Sequence, residues 1–580
     1  MRRAARAVLA IAIAAALLAP PSASAHAQLE GTSPERGAAV KHEPSAVIFR
    51  FDEPVEGSFG AVRVYDASGS RVDEGDAFHP NGEGPRLGVH LRPGLPDGSY
   101  TATYRVVSAD GHIVSSGYVF SIGKPGKAPT ETVAQLTGGS GSGPVTETAF
   151  GIARGLQYAA TALAVGGLAF LMLAWLPGLA AVGGGGEQWP RASRRFLSLL
   201  RLTMLLAAIV GVLSAVAGIV LEGAEAAGIS GFSALKWTIV HETLETKFGT
   251  IWGIDAFAWI AFGPLAMVLL RRLPARPAGF AAGLLLAAPL GFVVLVPALS
   301  GHGSTQSPVA LLFPTNVVHV TGMAVWLGGL AALLFVAPQA TRELEPGDRG
   351  LLLAAVLSRF SQVALLSVGA ILSTGLVQAY VYVRNLNALL DSGYGRAVLT
   401  KFCLLMVLVG IGAYNRRRSV PRLNRIAAGG EAPGHAGVLL RRTLRAEVTL
   451  LVVVLGVTAA LASYAPPVTA QAGPFSTETT LGPTRLEMSV EPATVGANEV
   501  HLYLFDSVSG APYARAKQLQ VTAALPERGI SLPLEAQLSG PGHYTVPGAL
   551  LNAAGEWRIG VTLRVSAFDE FTKTVGVTIR

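Results

Sequence analysis

The sequence predicts a multi-domain membrane protein: an exported all-β sandwich, an eight-helix transmembrane bundle, then a second exported all-β sandwich. Three observations carry this. A mean hydropathy of +0.46, with only 14% charged residues, leaves too little polar surface for 580 residues of soluble domains. The apolar residues gather between positions 150 and 465 in blocks of roughly 20, the length that crosses a bilayer core. On both sides of that stretch, short β-branched and aromatic runs alternate with turns. The net charge of +8 does not indicate nucleic acid, because the arginines sit beside apolar segments and report topology. One cysteine, Cys403, excludes a disulfide framework and any cysteine-based zinc cluster.

In chain order, residues 1–25 read as a signal peptide. Arg2, Arg3 and Arg6 precede a short apolar run from Val8 to Ala19, and Ala23-Ser24-Ala25 is a small-residue cleavage site, so the mature chain begins at His26. Residues 26–123 hold strand-like runs at 46–51, 61–65, 100–107 and 113–122, separated by turns such as Pro96-Asp-Gly98, and predict a small β-sandwich. Residues 124–149, rich in Gly, Ser, Thr and Pro, predict a flexible linker.

The membrane domain, 150–465, carries eight expected spans: 150–176, 196–221, 250–270, 278–299, 312–337, 358–383, 397–414 and 446–464. Basic residues cluster in alternate loops, at Arg191, Arg194 and Arg195, at Arg271, Arg272 and Arg276, at Arg342 and Arg349, and at Arg416 to Arg418 through Arg445. The positive-inside rule puts those loops in the cytoplasm and both ends of the mature chain outside, in a multi-pass protein of the cell membrane. Residues 470–580 alternate apolar and polar again, at 485–490, 500–505, 519–523, 555–563 and 571–579, and predict the second sandwich.

The chemistry starts at the mature N-terminus. A terminal His offers its α-amine and an imidazole nitrogen to one ion as a chelate, a neutral N-donor pair suited to Cu(II). In Ser108-Ala-Asp-Gly-His112, Asp110 and His112 are two residues apart and share a face if extended. Glu53, in Phe51-Asp-Glu-Pro54, ends a strand. Taken singly these are an Asp-Gly turn, a solvated histidine and a surface carboxylate. Their coincidence with a cleavage site that exposes His26 favours a metal centre.

Together, His26-Ala-Gln-Leu, Ser33-Pro-Glu-Arg-Gly-Ala-Ala-Val40, Phe49-Arg-Phe-Asp-Glu-Pro-Val-Glu56 and Tyr104-Arg-Val-Val-Ser-Ala-Asp-Gly-His112 resemble the CopC copper-binding family over nearly all of residues 26–123. The resemblance implies Cu(II) held by His26, Glu53, Asp110 and His112, with Asp52 and Glu53 both adjacent to the carboxylate position. No Met occurs between residues 2 and 171, so the methionine-rich Cu(I) site of some members is not expected. The membrane block resembles the CopD copper-resistance family, at Leu299-Ser-Gly-His-Gly303, Val318 to Gly329, Arg359-Phe-Ser361, Thr374-Gly375, Tyr414-Asn-Arg-Arg417 and Arg442 to Glu447. That likeness implies copper movement across the inner membrane, usually inward. Gly540-Pro-Gly-His-Tyr544 and Ala554-Gly-Glu-Trp557 are similar to YtkA-like exported sandwiches.

Within the spans, His302 falls at the outer end of the fourth and His319 inside the fifth. Met323, four residues on, stacks on the same helix face and completes an N/S pair suited to Cu(I). An imidazole in lipid is costly and functional by default. Cys403 and Met406 read as packing. Asp255 is a second ionisable residue at depth, with a proton or charge role and a cap or interfacial role equally open. His241, Glu242 and Glu245 fit a metal-recruiting loop or a solvated acidic face. His501, His543 and Met488 are donors best placed at the surface.

There is no Walker loop, P-type ATPase motif or G-x-S-x-G elbow, so the chain is not expected to be an enzyme. The leading expectation is a copper-binding membrane protein that captures Cu(II) outside and transfers or imports it, in homeostasis or resistance. Its partners are copper ions, the lipid bilayer and other exported copper-handling proteins, not nucleic acid. Two alternatives stay open: a haem-binding or copper-reducing redox protein using His302 and His319, and a copper buffer or sensor without transport.

Overall fold

Alternation sets the first sheets. Along Ala46–Phe51, Val47, Phe49 and Phe51 are buried while Arg50 is exposed, the period of two of a strand with one face on a core. The computed structural model describes residues 27, 29–35, 38–109, 111, 113–124, 136, 142–183, 186–272, 280–383, 386–429, 434–464, 466–467, 475–491, 493–509, 512–540 and 542–579. The expected signal peptide, most of the expected linker, and His26, Asp110 and His112 lie outside these residues. The described chain falls into two compact units, one helical and one holding both β-sandwiches.

The first sandwich comprises β1 (Leu29–Ser33), β2 (Ala39–Val40), β3 (Ala46–Phe51), β4 (Val55–Glu56), β5 (Val62–Tyr65), β6 (Arg86–His90), β7 (Gly98–Ser108) and β8 (Ile113–Ile122). One sheet runs β1-β3-β6, the other β2-β8-β7-β4 with β5 also on β7. Phe49 fills the space between them, edge-on to Tyr104 at 5.1 Å and to Tyr118 at 5.5 Å. In register, Leu29 faces Phe51, Val55 faces Ser108 and Val107 faces Ile113. The end of β3, the end of β7 and the approach to β1 therefore meet at one end of the sandwich.

The helical unit contains α1 (Pro144–Val182), α2 (Gln188–Ala227), α3 (Trp237–Glu245), α4 (Lys247–Arg272), α5 (Phe280–Leu299), α6 (Val309–Ala340), α7 (Pro346–Val383), α8 (Leu386–Asp391), α9 (Gly393–Ala428) and α10 (Gly434–Leu461). Seven are long and apolar enough to cross a membrane among the described residues: α1, α2, α4, α6, α7, α9 and α10. The remaining expected span, 278–299, is the 20-residue helix α5, whose apolar portion Leu286–Leu299 is shorter than the others within the described residues.

The helices outrun the expected spans because hydropathy marks only the part that lies in hydrocarbon. Backbone hydrogen bonding continues through Arg191–Arg195 in α2 and Arg416–Arg425 in α9. Three of them contain a widened five-residue turn, at Leu171–Trp175, Ala332–Val336 and Asn415–Ser419. Each ends two residues before a proline, Pro177, Pro338 or Pro421. A proline ring collides with the carbonyl four residues earlier, and the widened turn is where that carbonyl lies, so each helix continues past its proline. Glycines bring α1 and α6 into contact. A Cβ on Gly166 would run into the Ala324 carbonyl, and one on Gly328 into that of Ala162.

The second sandwich has β9 (Phe475–Leu481), β10 (Thr484–Glu491), β11 (Gly496–Asp506), β12 (Gln518–Leu525), β13 (Ile530–Leu534), β14 (Gln537–Gly540), β15 (His543–Leu551), β16 (Gly555–Arg564) and β17 (Glu570–Ile579). Sheets β14-β15-β11-β10-β9 and β13-β12-β16-β17 enclose Leu486, Met488, Val490, Leu502, Leu504, Trp557 and Ile559. The two sandwiches touch: Ser116 of β8 donates a hydrogen bond to Glu491 of β10 at 2.9 Å, both side chains buried.

Candidate metal centres

At the end of the first sandwich, Glu53 is half-buried and its Oε1 accepts the Ala109 N–H at 3.3 Å, while Asp52 is exposed. Glu53 is thus held against the first residue after β7, beside the segment that carries Asp110 and His112. The sequence left Asp52 and Glu53 as alternatives for the carboxylate that faces the metal. Ala27, the described residue next to His26, is buried in the same core.

A cluster on this sandwich was not anticipated. Glu74, Asp76 and His90 bring one ligand atom each within 4.8 Å of one another. His90 Nδ1 lies 2.5 Å from Asp76 Oδ2 and its ring stacks on Phe78 at 4.2 Å. Asp76 and His90 are 14 residues apart and meet only through sheet geometry, so no motif announces them.

In the helical unit, α6 and α7 face each other along a polar seam. His302, in the short turn His302–Ser304 between α5 and α6, sets its ring edge-on to Tyr382 of α7 at 6.0 Å. The next residue, Gly303, packs beside Asn316 of α6. One turn deeper, His319 Nδ1 meets Thr374 Oγ1 of α7 at 3.0 Å, with Gly375 against the imidazole. Deeper again, Gly322 packs on Ile371 and Ser367, and Met323 is half-buried against the main apolar cluster. Asn316 Oδ1 and Gln378 Nε2 on this interface are buried without hydrogen-bond partners among the described residues. The order along α7, Tyr382, Gln378, Thr374, Ile371, follows the spacing of one helix face.

The hydrogen bonds of Thr374 fix the chemistry of His319. Thr374 Oγ1 donates its only proton to the Ala370 carbonyl at 2.6 Å. Its oxygen therefore accepts from His319, which carries its proton on Nδ1 and keeps a lone pair on Nε2. Either neutral tautomer offers one bare nitrogen to a metal; in this one it is Nε2, on a ring oriented by an outer partner.

The other candidates sort differently. Asp255 is fully buried mid-way along α4, where it takes a hydrogen bond from Gln157 of α1, itself 2.5 Å from Ser214 of α2. It is an internal polar link rather than a cap or an interfacial group. Cys403 and Met406 are exposed on the outside of the helical unit and share no inward face. His241 is 3.6 Å from Glu245 on the exposed face of α3. A buried network that the sequence did not disclose joins α9 to α10: Asn415 donates to Glu447 at 2.7 Å and accepts from Thr443 at 2.8 Å.

The expected surface placement of His501, His543 and Met488 is wrong. Met488 lies in the apolar core of the second sandwich. His501 and His543 are 2% and 1% exposed, with His501 Nδ1 and His543 Nε2 3.2 Å apart. Tyr503 stacks on His543 at 4.2 Å, and Glu499 Oε1 lies 3.6 Å from His501 Nε2. Burial first, then the neighbouring His501, hold the His543 pKa well below the ordinary imidazole value, so this ring is neutral at pH 7. The face that bears these histidines is opposite the core in strand alternation, but the packing within the unit covers it.

Three families match along the chain: CopC domain over residues 29–123, Copper resistance protein D-like N-terminal domain over 145–311, and Copper resistance protein D over 354–461. The copper transport protein CutJ of Bacillus subtilis (strain 168) is 28% identical over 573 residues, 96% of this chain and 97% of that protein. Copper resistance protein D of Pseudomonas syringae pv. tomato is 28% identical over 291 residues, 49% of this chain and 88% of that one. The crystal structure of CopC from Methylosinus trichosporium OB3b is 31% identical, over 17% of this chain and 95% of that one, with a TM-score of 0.16.

Proposed function

Because the chain joins a CopC domain to a multi-pass Copper resistance protein D membrane domain and is a copper-handling protein, we propose that it captures Cu(II) outside the cell membrane and passes copper through the helical unit. In this reading His26, Glu53, Asp110 and His112 capture the ion. His302, His319 and Met323 are successive stations along the α6/α7 seam, with Cu(I) the form suited to the softer His319/Met323 pair. No ATP-hydrolysing motif occurs, so ATP hydrolysis within this chain does not drive the transfer.

The observation that carries this reading is the ordered seam. Buried amides and imidazoles between apolar helices are expensive unless they serve a passing or resident ligand, and here they line up from the α5–α6 turn inward. His302 packs on Tyr382 and His319 on Thr374, eight residues or about 12 Å apart along α7.

Copper uptake into vesicles tests the proposal. The His319→Ala chain is expected to lose transfer while binding Cu(II) at the exported domain as tightly as the unsubstituted chain. His302→Ala, nearer the water interface, is expected to reduce transfer less. Uptake unchanged by His319→Ala would reduce this histidine to packing, and no uptake by the unsubstituted chain would favour the buffer or sensor.

A further inference from the structure

The second sandwich holds two buried imidazoles whose geometry fits more than core packing. Strand register puts His501 of β11 opposite Thr545 of β15, and Tyr503 opposite His543. The histidines therefore lie diagonally on one face, together with Glu499 of β11 and, on β10, Glu487, Ser489 and Glu491. A hydrogen bond between neutral imidazoles is the simplest account of the 3.2 Å contact, and it leaves a remainder. If His501 donates, His543 carries its own proton on Nδ1; if His543 donates, its Nδ1 is a bare lone pair. Nδ1 is buried and has no partner among the described residues in either case, so pairing with His501 does not by itself satisfy this ring.

Two nitrogens bound to one ion at about 2.0 Å stand about 2.8 to 3.3 Å apart, from square-planar to tetrahedral geometry. The observed separation lies in that window. On the far side of the His501 ring, the Glu499 carboxylate is 3.6 Å from Nε2, beyond a hydrogen bond but near enough to set a negative charge beside the imidazole. Thr545 Oγ1, 3.5 Å from His543 Nε2, adds an oxygen at the same place. Neutral nitrogen donors with oxygen neighbours favour Cu(II) over other divalent first-row ions.

We infer that His501 and His543 form a second Cu(II) site in the C-terminal sandwich, with the Glu499 carboxylate beside it, on the face whose Glu491 is bonded to the CopC domain. This deepens, and rests on, the reading in which the exported domains handle Cu(II). It gives the C-terminal sandwich a role as a holding site beside the capture site.

The test uses the detergent-solubilised full chain and Cu(II) alone, with affinity measured by competition against a calibrated chelator and coordination by electron paramagnetic resonance. A His112→Ala/His319→Ala chain that also carries His90→Ala, which opens the Glu74/Asp76/His90 cluster, removes the other candidate centres. It is expected to retain one Cu(II) showing coupling to two imidazole nitrogens. Adding His543→Gln or His501→Gln, each of which keeps a polar side chain of similar reach, should weaken that ion by at least about 100-fold. Circular dichroism reports whether these variants keep their fold. Should they unfold, the His90→Ala/His112→Ala/His319→Ala chain still decides the matter, since its C-terminal sandwich is unaltered. Absence of Cu(II) from that chain, or Cu(II) that survives His543→Gln in a folded chain, overturns the proposal. If His112→Ala alone leaves the count unchanged and His543→Gln removes the only ion, the capture reading fails and this one stands.

Discussion

A histidine chelates through its own α-amine only when it is the first residue of a chain, which makes His26 open to an unusually clean experiment. Placing one Ala before mature His26 removes the amine donor and leaves every side chain in place. Cu(II) affinity is expected to fall by orders of magnitude, as for His26→Ala and His112→Ala, with the β-sandwich still folded. Equal affinity of extended and native forms in chelator competition would eliminate the site. At this scale the sequence was informative where chemistry and cost coincide. His319 stood out because an imidazole inside an apolar helix is expensive. Thr374 did not, because its role depends on which carbonyl takes its proton and on a contact 55 residues away. His501 and His543 were assigned to the surface, and the alternation along β11 and β15 does put them opposite the core. What buries that face includes a contact with Ser116, 375 residues distant, which no local pattern encodes.

Elements were legible by type more than by extent. The runs at 46–51 and 113–122 match β3 and β8 residue for residue. Strands interrupted by Gly or Pro were missed, among them β6 with Gly88, β13 with Pro533 and β15 with Pro547 and Gly548, since both residues are depleted in strand interiors. Helix ends were set too short because apolarity stops before the helix does. Pairing between helices was not readable at all, although the glycines that permit it were present. The α1/α6 contact offers a direct check. Gly328→Ala puts a methyl group into the Ala162 carbonyl, which neither backbone can yield without separating the helices. It is expected to destabilise the helical unit by about 1–3 kcal/mol, measured by unfolding in detergent. Gly291→Ala, with open space around its Cβ position, is the control expected to show no such loss.

For the whole molecule, the Ser116–Glu491 bond bears on membrane topology. Residues on either side of the helical unit that touch within one compact body lie on one side of the membrane, so the chain between them crosses an even number of times. Seven long helices would separate them. An even number requires that α5, 20 residues and about 30 Å long, also cross, which is the eight-span arrangement expected from the sequence. A reporter inserted between residues 416 and 445 is therefore expected to be active in the cytoplasm, and reporters after residue 470 only outside. Activity of the 416–445 fusion in the exported compartment would contradict this topology.

The same bond sets a schedule for biosynthesis. Glu491 is made 375 residues after Ser116, and at a synthesis rate of about 5–20 residues per second that is a delay of roughly 20 to 75 s. During this interval the Ser116 surface of the N-terminal sandwich is still wet, while the helices between the two sandwiches are being made. The two sandwiches can close on each other only once the last strands emerge. Completion of the unit that holds both sandwiches therefore waits for the last strands, and a nascent chain cut short at any point in the helical unit would leave that polar surface open to water and to proteases.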